Sequence, residues 1–327
     1  MGKRWARWKY GCLLVALGSL SGGILDNGLA WGQEAAPAIP VSPAAETKLV
    51  NDEIATCEGC HGDPKLVSED KAKQGISMFV DETSFRNSRH EKVACTQCHT
   101  DVNPDDIPHA ATLKKVECGS CHLEKKLPRT PEFAAEIFKA YGDSIHGTAF
   151  AAGDPDAPRC ADCHGHHDIR RPSDPMSPVS HQNVPKTCAR CHDNVKVAKR
   201  HQGFQGYVKG SYQDSIHGSL LTEGKNGVKS ARDKAPAVCI DCHGVHGIRP
   251  GSDPNSSVTR AHIPDTCGKC HKEIFREWKE SIHGQLSQQG NKESPVCTTC
   301  HGEHTIRSPG DQASSVNPSH VVATCSL

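Results

Sequence analysis

Sixteen of the chain's 18 cysteines stand in eight copies of one pentapeptide, Cys-x-x-Cys-His. Cys57 and Cys60 precede His61, Cys95 and Cys98 precede His99, Cys118 and Cys121 precede His122, and Cys160 and Cys163 precede His164. Cys188 and Cys191 precede His192, Cys239 and Cys242 precede His243, Cys267 and Cys270 precede His271, and Cys297 and Cys300 precede His301. No other property of the sequence limits its folding so strongly. A disulfide framework would not confine cysteines to a single spacing, and zinc ribbons pair their CxxC elements without an obligatory following His.

Cysteines at i and i+3 share one face of a helical turn. CxxCH is the attachment pattern of c-type haem: both thiols bond the vinyl groups, and the adjacent His reaches the iron as proximal ligand. One copy would also suit a zinc site or a redox dithiol. Eight copies, each closed by His, imply eight covalently attached haem c groups.

The same reading accounts for a thin core. Leu, Ile, Val and Phe total 58 of 327 residues, a fraction that leaves a highly charged chain disordered. Here Lys+Arg and Asp+Glu balance at 38 each. Covalently held macrocycles would supply the missing apolar surface. The expected fold is mostly irregular with short α-helices around a core of stacked haems. Residues 33–327 leave about 37 per motif, which brings neighbouring cofactors close enough for rapid electron exchange.

Residues 1–32 have the layout of a secretory signal peptide: Lys3, Arg4, Arg7 and Lys9, an apolar run from Cys12 to Leu25, and Ala30-Trp31-Gly32 before Gln33. Their removal takes four bases and one acid (Asp26), leaving 34 Lys+Arg against 37 Asp+Glu. A slightly acidic mature chain is a poor partner for nucleic acid. The expected location is periplasmic or otherwise extracytoplasmic, with membrane attachment through a C-terminal segment left open.

From residue 143 the chain repeats. Asp143-Ser-Ile-His146-Gly, Asp214-Ser-Ile-His217-Gly and Glu280-Ser-Ile-His283-Gly each precede a CxxCHGxHxIR segment, at 160–170, 239–249 and 297–307. A second motif begins 28 residues after the first, at Cys188 and Cys267, and the same step from Cys297 lands on Cys325. Ala323-Thr324-Cys325 matches Lys186-Thr187-Cys188 and Asp265-Thr266-Cys267, so Cys325 is read as the start of a ninth motif and a ninth haem. The expected organisation is a signal peptide (1–32), a three-haem region (33–142), two-haem units at 143–213 and 214–279, and a third unit at 280–327.

Apolar residues nine, five and one before the Ser-Ile-His-Gly His (Ile137/Tyr141/Ile145, Val208/Tyr212/Ile216, Ile274/Trp278/Ile282) predict a helix laid on a haem. Thr130-Pro131-Glu132 reads as the N-cap and first turn of the first of these helices, and Gly147, Gly218 and Gly284 as left-handed helix ends.

Thirteen His lie outside the motifs, enough to give every iron two His and no open position. The strongest distal candidates are His146, His217 and His283, then His90 in Ser88-Arg89-His90 with Phe85 five residues before it. A second set is His167, His246 and His304. A third is His109, His181, His262 and His320, with His181 displaced by two residues. Each unit offers three free His for two haems, so one per unit is surplus. His166 and His201 lack repeat counterparts and read as surface residues. Met78 and Met176 are the thioether alternatives. Arg170, Arg249 and Arg307 read as solvated side chains or as partners of haem propionates.

CxxCHGxHxIR, the P-x-TCxxCH segments at 185–192 and 264–271, and Ser-Ile-His-Gly together resemble the multihaem c-type cytochromes of the doubled-CXXCH type over nearly the whole chain after residue 32. The resemblance implies bacterial respiratory electron transfer along a chain of low-potential haems, distal ligation by Ser-x-His-Gly, and other redox proteins as partners. Some similar proteins continue into a quinone-linked membrane cytochrome b. The rival expectation is a multihaem enzyme of the nitrite, hydroxylamine or tetrathionate type with one open iron. No CxxCK occurs to mark such an iron, and Tyr10, Tyr141, Tyr207 and Tyr212 are the sole tyrosines.

Overall fold

The computed structural model describes residues 43–68, 75–107, 109, 113–123, 131–201, 208–223 and 235–326, and Pro43–Leu327 forms one compact unit. The leader read at 1–32 and the helix start read at Thr130 lie outside the described residues. Helices of 4 to 19 residues alternate with turns and irregular segments. The single β feature among the described residues is an isolated bridge between Val67 and Ser77. No described helix is long and apolar enough to cross a membrane.

Side chains alone make little core. The buried apolar residues among those described are Ile54, Phe85, Ala94, Val184, Val238 and Val296. More serines than apolar residues are buried, Ser144, Ser177, Ser215, Ser256 and Ser314 among them. Ala94, Val238 and Val296 each immediately precede the first Cys of a motif, so what packing exists gathers at the motifs.

Each Ser-Ile-His-Gly segment makes a corner between two helices. Pro131–Gly142 gives way to Ile145–Ala151, Val208–Gln213 to Ile216–Glu223, and Lys272–Glu280 to Ile282–Gln288. Ser144 is the N-cap of its second helix: its hydroxyl accepts the Gly147 N–H at 3.0 Å and donates to the Tyr141 carbonyl at 2.6 Å. Ser215 and Ser281 repeat both bonds. The His therefore lies in the first turn of a new helix rather than at the end of the preceding one. Gly147, Gly218 and Gly284 are not left-handed helix ends: none has positive φ, and each sits inside the second helix. Their role is close approach, since a Cβ on Gly147 would lie 1.9 Å from the Tyr141 carbonyl oxygen.

The expected apolar stripe is broken by this corner. The residue five before the His stays inside, tying its helix to the carbonyl two residues ahead of the next motif. Tyr141 donates to Pro158 at 2.7 Å, Tyr212 to Ala237 at 2.9 Å, and the Trp278 indole to Pro295 at 3.4 Å. Ile145, Ile274 and Ile282 are exposed in the protein scaffold.

Consecutive units are joined by one recurring backbone bond. Ile145 N–H donates to the Ile248 carbonyl at 2.8 Å, and Ile216 N–H to the Ile306 carbonyl at 2.7 Å. Arg89 N–H donates to the Ile169 carbonyl at 2.7 Å. The residue before the His of one unit thus docks on the His-x-Ile-Arg strip of the next, and Ser88-Arg89-His90 takes the same place in the N-terminal region.

Candidate haem-binding chain

The motifs at Cys95, Cys160, Cys239 and Cys297 each begin a short helix, whereas those at Cys57 and Cys188 close longer ones. In four motifs the residue before the second Cys accepts the N–H of the residue before the first: Gln97 from Ala94, Asp162 from Arg159, Asp241 from Val238 and Thr299 from Val296, at 2.6 to 3.1 Å. This satisfies an amide left free at a helix start. Gly165, Gly244 and Gly302 follow the motif His with φ of 87°, 82° and 73° and extended ψ, a conformation open essentially to Gly alone. That turn carries the chain back so that His167, His246 and His304 lie on the next strip.

Seven motif His each face a non-motif His. Ring centroids are 6.4 Å apart for His61 and His109, 6.2 Å for His99 and His167, 6.1 Å for His164 and His246, and 5.9 Å for His243 and His304. They are 6.1 Å apart for His90 and His122, 6.2 Å for His146 and His192, and 6.2 Å for His217 and His271. These separations are too wide for direct stacking. Two metal–nitrogen bonds of about 2 Å, plus about 1 Å from each nitrogen to its ring centre, place two imidazoles on one metal ion about 6 Å apart.

In units 1 and 2 the pairs follow two rules: a Ser-x-His faces the second motif of its own unit, whereas a first-motif His faces the His of the next unit's His-x-Ile-Arg strip. In the N-terminal region His90 faces the third motif, His99 the strip of unit 1, and His61 faces His109 inside the region. The planes differ accordingly. His61/His109, His164/His246 and His243/His304 are within 13° of parallel, and His99/His167 is at 36°. The three pairs made by a Ser-x-His stand at 52° to 87°.

Burial pushes nine of these imidazoles, including His146, His164, His217 and His246, below the usual value, His192 to about 4. Such rings are neutral at neutral pH and keep a lone pair for a metal. His61 Nδ1 donates to the Met78 carbonyl at 2.8 Å and His109 Nδ1 to the Asp106 carbonyl at 2.9 Å, which leaves Nε2 of each free to ligate.

The motifs are neighbours in space in sequence order. First cysteines touch in the pairs Cys57/Cys95, Cys118/Cys160, Cys188/Cys239 and Cys267/Cys297. Between these pairs, Cys98 lies within electrostatic range of Cys121, Cys163 of Cys188, Cys242 of Cys270, and Cys300 of Cys325. A continuous cavity of about 3700 Å³ runs along the first six motifs, from Cys57 to His243. A single small-molecule pocket occupies roughly 300–1,000 Å³. Thiols, facing imidazoles and a long void with walls such as Ile54, Phe85, Phe138 and Val238 form a donor set and a space suited to a row of covalently held haems.

Other candidates are placed elsewhere. His262 and His320 stand just before their helices, and Nδ1 of each donates to the Ser256 and Ser314 carbonyls at 2.9 and 3.0 Å. In unit 1 this work falls to Asn183, whose amide donates to the Ser177 carbonyl at 2.9 Å. Asn183, His262 and His320 all stand five residues before a Cys, a register that sequence comparison of the units could have exposed. His181 instead meets Asp241 at 3.0 Å. His283 and His301 face no ring among the described residues. His166 is exposed, and His201 is held by Asp156 and Asp154.

Met176 is 73% exposed. Arg170, Arg249 and Arg307 are partly buried against Asp174, Asp253 and Asp311 at 2.9 to 3.1 Å, closing the loop after each His-x-Ile-Arg strip. No family model, curated protein or solved structure matches the chain.

Proposed function

We propose that the protein is an exported multihaem c-type cytochrome that carries electrons along a row of covalently attached haems. The observation that carries this reading is the set of seven motif His each facing a second His about 6 Å away. The CxxCH cysteines would anchor haem c, which supplies a reversible one-electron change at iron.

This chain's residues would hold and tune that group. His61, His99, His122, His164, His192, His243 and His271 would be proximal ligands, and His109, His167, His90, His246, His146, His304 and His217 the respective distal ones. With two imidazoles to hold it, each group would keep no open position, which favours electron transfer over substrate chemistry and low potentials over high. Motif-to-motif contact in sequence order gives the electron a continuous route, with other redox proteins as the donor and acceptor.

Alkaline pyridine spectra of the purified protein test the reading, with about eight haems per chain expected. Redox titration should place most midpoints below zero against hydrogen. Fewer than four haems, or midpoints mostly well above zero, would contradict it.

A further inference from the structure

In the protein scaffold, three junctions are built alike. His99, His164 and His243 face His167, His246 and His304 of the following unit. At the same junctions Arg89, Ile145 and Ile216 donate N–H to Ile169, Ile248 and Ile306. The strip that docks has one sequence form, Gly-x-His-x-Ile-Arg, at 165–170, 244–249 and 302–307. Unit 3 presents the receiving half of this junction with nothing seated on it among the described residues. Ser281 caps Ile282–Gln288 as its counterparts do. Yet His283 and His301 are exposed where His146, His217, His164 and His243 are half-buried, and Ile282 is 63% exposed. A cleft of about 270 Å³ opens on His301, lined by Thr298, Cys300, Gly302 and Thr324.

We propose that this face of unit 3 is a docking surface for a further polypeptide strip of the Gly-x-His-x-Ile-Arg class. The strip's imidazole takes the place opposite His301, and its isoleucine carbonyl accepts the Ile282 N–H. The occupant is specified by continuity with the three existing junctions, each of which uses both contacts. A bare imidazole or small anion could satisfy one contact but not both. The inference rests on the haem reading above, because the imidazole opposite His301 gains its affinity from a metal between them.

The test uses the haem-loaded protein and the hexapeptide Gly-Val-His-Gly-Ile-Arg, copied from residues 244–249. One haem should be high-spin and bind carbon monoxide stoichiometrically before addition. The peptide should convert that haem to low-spin and displace carbon monoxide at a concentration at least ten-fold below that needed with free imidazole. The same peptide with Ala in place of His should do neither.

Ile282→Pro removes the N–H at the first helical position, where Pro is tolerated and the extended Ser281 before it suits Pro. This variant should weaken the peptide about five-fold, the effect of one lost hydrogen bond, and leave imidazole affinity unchanged.

Peptide no tighter than imidazole would overturn the docking surface and leave an open iron for small ligands. Absence of any high-spin haem would overturn it by showing the site filled from within. Low-spin haem that turns high-spin on dilution, together with dimers in sedimentation, would assign the face to a second copy of this chain and also overturn it. Pyridine spectra separate these outcomes from failure of the haem reading itself, which would leave no haem to convert.

Discussion

His164 of the first unit faces His246 of the second, their ring centroids 6.1 Å apart and their planes 13° from parallel. The two residues are 82 apart in sequence, so a metal between them would staple one unit to the next. Pairs of this kind, rather than an apolar core, would then carry cohesion along the row. His246→Ala should expose the iron anchored at Cys160 and Cys163, in the neighbouring unit, and leave the iron at Cys239 and Cys242 in its own unit low-spin. In addition to the carbon monoxide site expected at His301, one more per chain should appear. Assigning that site by mass spectrometry of haem peptides in a second variant, Cys160→Ala with Cys163→Ala, should show it lost.

The two classes of ring pair should have distinct magnetic signatures. Near-parallel imidazole planes on a low-spin ferric ion give a rhombic electron paramagnetic resonance spectrum, and steeply crossed planes give a strongly anisotropic one. His164/His246 and His243/His304 belong to the first class, and His90/His122 at 87° to the second. Both signals are expected in the oxidised protein, and His217→Ala should diminish the anisotropic set alone.

The sequence announced the pairing partners unevenly, for physical reasons. The Ser-x-His and CxxCHGxH candidates stood out because one motif carries both the local turn and the ligand. Gly165 is legible in this way, since its φ of 87° requires Gly directly after the motif His. Which His faces which depends on the unit-to-unit bond from Ile145 to Ile248, and such bonds leave no mark in side-chain identity because they join backbone groups. The helix corner departs from the sequence expectation for a related reason. A Gly after His suits either a helix end or a close approach, and the hydroxyl of Ser144 decides between them.

His262 and Asn183 do one job in two units, each donating to a serine carbonyl at 2.9 Å. His262→Asn should therefore add no high-spin haem and change stability by less than about 0.5 kcal/mol. His262→Ala leaves the Ser256 carbonyl without its donor and should cost about 1–3 kcal/mol in chemical denaturation. Loss of a low-spin haem in His262→Asn would return this residue to the ligand set.

The Ser-Ile-His-Gly corner should be intolerant at both ends. Ser215 is 2% exposed, and its hydroxyl both caps Gly218 N–H and donates to the Tyr212 carbonyl. Ser215→Ala should cost about 1–2 kcal/mol. Gly218→Ala would set a Cβ 2.0 Å from the Tyr212 carbonyl oxygen, so the backbone must move and carry His217 with it. That variant should be destabilised by roughly 1–3 kcal/mol or more and gain a high-spin haem, whereas Ser215→Ala should gain none. Thermal unfolding and optical spectra read the two effects separately.

Acid should loosen the strip loops through their aspartates. The Asn255 amide, and then the Arg249 guanidinium, hold the Asp253 carboxyl below its ordinary value of 3.8. Asp174 and Asp311 are held down likewise by the amides of Met176 and Ala313 and by Arg170 and Arg307. A carboxyl whose folded pKa is depressed adds stability that is present in full above its unfolded value and lost as pH falls through the folded one. Asp253→Asn keeps a side-chain oxygen for the Asn255 amide and removes the charge. The gap in denaturation midpoint between the protein and Asp253→Asn should therefore be constant from pH 7 to about pH 5 and should close below the ordinary carboxylate value. A gap that widens as pH falls would show that Asp253 does not hold the loop as a carboxylate.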